Sequence, residues 1–291
     1  MAIGDSTRIN TNIAALNALN ALKNINWRLE KSQLKLATGW RINEVSDDPA
    51  GFVISKRLEA RARGLAVAYD NVGTAKNVLA IAEGGMINIQ NILITMKEKI
   101  TQAASDTLGS AERNAIKTEI DQLTQEINDI VDETTFNNVS LIDGTYVNKS
   151  IQAGEETTSV LLFSIGQATP LGGGLGTGLT APDLLVDSTN VSDLVFTAAG
   201  SSTALANVDN AIEVLAYFLQ DIGAKVSRLT VKESTLSISI TNTLATKGRI
   251  WDVDIAREQL NSTKLQILQQ TATAQLAQAN VSPQNVLALF Q

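Results

Sequence analysis

One helical face repeats from Ile54 to Ala103. The positions Leu58, Arg61, Leu65, Ala68, Val72, Ala75, Leu79, Ala82, Met86, Ile89, Leu93, Met96, Ile100 and Ala103 follow Ile54 in alternating steps of four and three, with Arg61 the charged member of the series. Such spacing is the heptad seam of packed helices. Asp48 is a good N-cap, and Pro49 a good first helical residue, because the N–H it lacks has no helical partner at that position. The pattern predicts a helix over about 49–106, on the order of 85 Å long at ~1.5 Å per residue. No compact globule buries a helix of that length, so other long helices must lie beside it.

The chain supplies them. After Leu108-Gly109, Ser110 can cap a helix over about 110–132 in which Ile116, Ile120, Leu123, Ile127 and Ile130 repeat the seam and return antiparallel. A further heptad helix over about 205–249 carries Ile212, Leu215, Leu219, Ile222, Val226, Leu229, Leu236 and Ile240, with Glu233 in a seam position. Residues 8–36 form an amphipathic helix with a shallow, alanine-rich apolar face, weakened by asparagines at 10, 12, 17, 20, 24 and 26. The chain ends in a second helix of this kind, Leu265, Leu268, Ala272, Leu276 and Ala279 sharing one face, with Pro283 starting a last short turn. Neither terminal helix is self-sufficient in water. The economical solution pairs them with each other and with copies in neighbouring molecules, through Ile9, Ile13, Leu16, Leu265, Leu268, Leu276, Leu287 and Phe290.

Residues 134–200 change character. Phe136-Asn137-Asn138 and Asp143-Gly144 are turn signals, and about 150–166 read as a β-hairpin turning at Ala153-Gly154-Glu155. The loop LGGGLGTGLTAPD lacks the GK[ST] and the strand-loop-helix setting that a phosphate-binding loop needs. The fold class is mainly α: long antiparallel heptad helices in a rod-like bundle, a small β-hairpin region, and a coiled-coil domain from the terminal helices.

Composition narrows the function. Neither histidine nor cysteine occurs among the 291 residues. That removes the usual base near neutral pH, thiolate chemistry, zinc-cysteine sites and the Glu-x-x-His motifs of dinuclear bundle enzymes. An enzyme is not expected, nor any cofactor or metal. A net charge of −7 and a pI near 4.8 disfavour nucleic acid as partner. The absence of an uninterrupted run of about 18 apolar residues predicts no membrane insertion. The opening MAIGDSTRINTN does not read as a cleavable secretory signal, which taken alone points to the cytoplasm. Gly51, Gly64, Gly73, Gly84 and Gly85 sit inside the long helix. They are read as close backbone approaches, or as a bend or switch, with alanine at 84 and 85 expected to stabilise the helix.

The segments RINTNIAALNALNAL, KLATGWRINEVSDDPAGFVISKRLEARARGL, AEGGMINIQNIL and GRIWDVDIAREQLNSTKLQILQQTATAQLAQANVSPQNVLALF resemble bacterial flagellin. With residues 110–142, the resemblance covers about two thirds of the chain and sits at both ends. It implies a structural subunit that self-polymerises into the flagellar filament, the propeller of swimming. It implies an axial domain from residues 1–42 and 251–291, an outward rod domain from 43–250, and a residual variable region at about 167–204. It further implies secretion through the flagellar type III export route, with an export chaperone on the C-terminal helix, the filament cap and the hook-junction proteins as partners. The hook-filament junction protein is the alternative reading. Trp27, Trp40 and Trp251 depart from the family pattern and are read as aromatic anchors at the assembly interface. Members recognised by Toll-like receptor 5 carry a pattern like RVRELA where residues 95–100 here read TMKEKI. Thr95 and Lys99 depart from it while Gln102 and Glu119 match, so weak or absent receptor activation is expected.

Overall fold

The computed structural model describes residues 11–165, 179–181, 183–193 and 198–288, with side chains at all of these except 188, 189, 198, 199 and 282–288. The chain is mainly helical. Its helices are α1 (Ile13–Thr38), α2 (Pro49–Ala103), α3 (Ser110–Glu133), α4 (Ala198–Trp251) and α5 (Ile255–Ala288). Between α3 and α4 lie strands β1 (Thr135–Phe136), β2 (Val139–Ser140), β3 (Lys149–Gln152) and β4 (Val160–Phe163), then a π-helical turn, Ser188–Ser192. The chain packs as two units, residues 62–241 and the two chain ends up to 61 and from 242 on.

Asp48 starts α2 as its sequence context predicts, its Oδ1 accepting the Gly51 N–H at 2.9 Å. From Leu65 to Ala103 every seam position is buried. Nearer the N-terminus the buried face is different. Gly51, Ser55 and Ala62 occupy it, while Ile54 is 48% exposed and Arg61 lies on the exposed side. A Cβ at Gly51 would come within 2.9 Å of Ile42 Cδ1, so this face needs small residues that a search for large apolar ones passes over. The charged outlier at Arg61 thus leaves the seam to Ala62. The same helix also holds an 18-residue window apolar enough to cross a bilayer by length and composition. Leu79, Ala82, Met86, Ile89 and Leu93 of this helix are buried in the core of the 62–241 unit.

In that unit the α3 residues Ile116, Ile120 and Ile127 and the α4 residues Val208, Leu215, Ile222, Leu229 and Leu236 join α2 in one hydrophobic cluster. Ion pairs Lys97–Asp209 at 2.6 Å and Lys76–Glu233 at 2.7 Å mark α2 and α4 as antiparallel. They also explain Glu233 in the seam: Lys76 and the Tyr69 hydroxyl satisfy it, and the Lys76 ammonium holds its carboxyl below the usual range. Ser110 does not cap α3. It is the first helical residue, and Gly109 precedes it as an N-cap without a side-chain bond. Gly109 takes that position because its carbonyl already accepts the first helical bond, from Arg113 N–H at 3.2 Å.

Strands β3 and β4 pair antiparallel, Lys149 opposite Phe163 and Gln152 opposite Val160, which matches the predicted hairpin. Strands β1 and β2 form a second, shorter ladder around Asn137 and Asn138, both left-handed at φ 51° and 61°. Two consecutive positive φ values are the hairpin geometry that asparagine tolerates. Below this ladder Gly85 is a true close approach, since a Cβ there would meet Thr134 Oγ1 at 2.6 Å, whereas one at Gly84 would meet nothing within 4 Å.

Within the residual variable region, residues 167–178, 182 and 194–197 fall outside the described ones, and 198–204 open α4. The region's other described parts pack on α3: Asn128 accepts the Ala181 N–H at 2.9 Å, and the buried Thr124 hydroxyl donates to the Val186 carbonyl at 3.2 Å.

Candidate self-assembly site at the two chain ends

Asn12 caps α1, its Oδ1 accepting the Ala15 N–H at 3.0 Å, and Gly39 ends it in the left-handed conformation at φ 74° with its N–H on the Lys35 carbonyl. The first helix begins at Ile13, where the amphipathic pattern alone suggests residue 8, and residues 8–10 lie outside the described ones. Asp254 caps α5 by accepting the Arg257 N–H at 3.1 Å. Trp251 closes α4, and the last helix begins at Ile255. Pro283 does not end α5, because the helical backbone continues to Ala288.

Helices α1 and α5 pack against each other antiparallel. The Ser32 hydroxyl donates to Glu258 at 2.5 Å, Gln269 donates to Asn26 at 2.8 Å, and Asn12 donates to the Ala279 carbonyl at 2.7 Å. Leu29 and Ser32 of α1 and Ser262, Leu265 and Ala272 of α5 are buried. Small and hydroxyl-bearing residues let the two backbones come close, as the alanine-rich patterns imply.

The connectors into and out of these helices are tied together. Trp40 and Asp252 form an antiparallel bridge, with Arg41 N–H donating to the Trp251 carbonyl at 2.7 Å and Val253 N–H to the Gly39 carbonyl at 3.0 Å. The Arg41 guanidinium adds two bonds to the Ile250 carbonyl at 2.7 and 3.0 Å. Trp251, 7% exposed, packs edge-on against Trp40 at 5.8 Å and against Phe52 at 5.5 Å, and Lys56 Nζ stands 5.4 Å from its ring centroid. On the other side of the connector, Lys31 bonds Asp47 at 2.8 Å and Glu44 at 3.2 Å. Asp47, then Glu44, raises the Lys31 ammonium above its ordinary pKa. Lys31 in turn holds the Asp47 carboxyl low, and the Glu44 carboxyl is lowered first by the Ser46 hydroxyl and then by Lys31.

The predicted interface residues divide by exposure. Trp251 and Leu265 are covered within the chain, Ile13 and Leu276 are half-buried, and Leu16, Trp27, Trp40 and Leu268 are exposed. Ile9 and Phe290 lie outside the described residues; Leu287 is in α5, with its side chain outside them. The sequence reading missed the most exposed apolar residue here, Leu260 at 74%, together with Ile255 and Ile267, both more than half exposed. These three fall off the face shared by Leu265 and Leu268, so a search for one stripe overlooks them. In the other unit, Lys99 pairs with Glu119 at 2.6 Å, the Thr95 hydroxyl donates to the Asn91 carbonyl at 3.0 Å, and Gln102 is exposed. Among the described residues no group of three or more acidic side chains converges as a metal site requires.

The bacterial flagellin N-terminal helical region matches residues 9–147, and the bacterial flagellin C-terminal helical region matches residues 205–290. The flagellin of Bacillus subtilis strain 168 is 36% identical over 98% of this chain and all of its own length. The flagellar filament 41 kDa core protein of Borreliella burgdorferi is 31% identical over 97% of this chain and 99% of its own. A solved structure assigned to a flagellar hook-associated protein of Vibrio parahaemolyticus superposes with a TM-score of 0.59 at 15% identity, covering 71% of this chain and all of that one, a likeness of fold. With both its helical ends matched and nearly all of its length shared with such relatives, this chain belongs to the bacterial flagellin family.

Proposed function

We propose that copies of this chain polymerise through the unit formed by α1 and α5. Membership of the flagellin family makes the chain a structural subunit of the flagellar filament, an assembly outside the cell. One observation supports placing the contact at the chain ends. After α1 and α5 have packed on each other, Leu260, Ile255, Trp27, Ile267 and Leu16 still face solvent. Each remains available to a neighbouring copy, and apolar burial between like chains gives an open-ended, concentration-dependent polymer.

In this reading residues 1–42 and 251–291 are the axial part of the subunit and residues 43–250 the outward part. The exposed apolar side chains of α5 also suit an export chaperone, which would keep the helix from pairing early, and the filament cap and hook-junction proteins would meet the same ends. A chain without cysteine and with marginal terminal helices suits secretion unfolded through the export apparatus. The role is mechanical, without catalysis. Toll-like receptor 5 is a weak partner in this reading, because Thr95 replaces an arginine and Lys99 is held by Glu119. The hook-filament junction reading is not favoured, since the likeness to the hook-associated structure is one of fold at 15% identity.

Seeded polymerisation of the full chain, followed by sedimentation and electron microscopy, tests the proposal. Full-length protein is expected to extend seeds into long filaments. The chain shortened by residues 255–291 is expected to stay soluble and folded without elongating; filaments from it would overturn the assignment.

A further inference from the structure

Asn12 serves two helices at once. Its Oδ1 accepts the Ala15 N–H at 3.0 Å and its carbonyl accepts the Leu16 N–H at 3.1 Å, which starts α1. Its Nδ2 donates at 2.7 Å to the carbonyl of Ala279 in α5. That acceptor differs from its neighbours. An α-helical carbonyl takes the N–H four residues on, and four residues beyond Ala279 stands Pro283, which has none. Yet α5 runs on to Ala288. The proline frees one carbonyl of its helical partner, and Asn12 supplies the missing donor.

We propose that Asn12 and Pro283 form a register latch between the two chain ends. The apolar seam of α5 repeats Leu265, Leu268, Ala272, Leu276 and Ala279 at near-equal spacing, so sliding by a turn, roughly 5.4 Å, exchanges one aliphatic contact for another. A directional bond to a single freed carbonyl does not permit that exchange, just as one polar residue fixes register in a coiled coil. After a slip, Nδ2 would face a carbonyl already bonded within its own helix. The Ser32–Glu258 and Asn26–Gln269 bonds hold the pair nearer the connectors. The latch fastens the far end, where helices otherwise fray. Capping α1 and completing α5 therefore become one event.

Hydrogen exchange by mass spectrometry on the full chain tests this in residues 13–19 and 276–284. Asn12→Ser keeps a short capping hydroxyl but cannot span to Ala279. It is expected to speed exchange in 276–284 about fivefold, the loss of one hydrogen bond. Asn12→Asp keeps the cap and the length but has no donor, and it is expected to do the same. Pro283→Ala returns a helical donor to Ala279. In that background either Asn12 substitution is expected to change exchange in 276–284 by less than twofold. Equal effects in both backgrounds, or an effect confined to 13–19, would overturn the latch.

Discussion

In residues 62–241 every α2 seam position is sealed, whereas α1 contributes only Leu29 and Ser32 to the buried set among its described residues. Both regions are built from amphipathic helices with the same three-and-four spacing. The difference lies in partners. The α2 seam meets α3, α4 and the segments packed on them inside one chain, and the large residues Met86, Ile89, Leu93 and Met96 fill that space completely. Helix α1 meets α5 through serines, alanines and a few leucines, and much of the apolar surface of the pair is left over. Periodicity states which face of a helix is to be buried; it does not state whether the same molecule can bury it.

The strongest way to break this comparison is to truncate one residue on each side. Leu93→Ala removes a fully buried side chain and is expected to lower stability by about 2–5 kcal/mol in urea unfolding. Leu260→Ala should leave the monomer within about 0.5 kcal/mol of the parent, because its side chain is exposed. It should nonetheless raise the concentration needed for seeded growth several-fold. If Leu260→Ala unfolds the monomer as Leu93→Ala does, the chain-end unit is complete by itself and the contrast fails.

A smaller effect separates two adjacent glycines. Gly85→Ala would push a methyl group against Thr134 and Ile142, for an expected loss of about 1–3 kcal/mol. Gly84→Ala, with open space around it, should gain up to about 1 kcal/mol from helix propensity. Thermal melting of the two variants checks the opposite signs, where the sequence alone predicts that both substitutions stabilise. An altered filament shape from Gly84→Ala without loss of stability would mean that a neighbouring copy approaches that open side.

These cases show where sequence is legible. The buried face of α2 from Leu65 onward, the Asp48-Pro49 start and the β3–β4 hairpin rest on local spacing and local caps, so the sequence displays them directly. The Gly51–Ser55 face does not announce itself, since small residues carry little apolar signal. Glu233 in a seam reads as an irregularity until Lys76, far away in sequence, is seen beside it. The Trp40–Trp251 pair is likewise a contact between distant residues; the sequence marks both as unusual but not as partners. At the candidate site, the terminal helices were legible and the apolar residues they leave exposed were not, because exposure depends on how two helices share their faces.

The smallest expected effect is electrostatic. The Asp47 carboxyl is lowered by Lys31, so its contribution is present above the unfolded value near 3.9 and is lost as pH falls through the still lower folded value. The Lys31 ammonium is raised by Asp47, so its contribution is present below about 10.4 and is lost as pH rises through the folded value above that. Tryptophan emission against pH should be flat between these limits, and Lys31→Met should remove both outer slopes attributable to the pair. A slope near neutrality in the parent chain would contradict this account, as the chain has no histidine to titrate there.

The bridge between Trp40 and Asp252 has a mechanical side. Its two backbone bonds and the Arg41 fork join the segment leaving α1 to the segment entering α5. A pull on either terminal helix is therefore passed sideways to the other before it reaches the single strand of backbone behind it. The two ends of the polypeptide are tethered as one cable, with twice the covalent cross-section and a shared point of failure at Gly39 to Arg41.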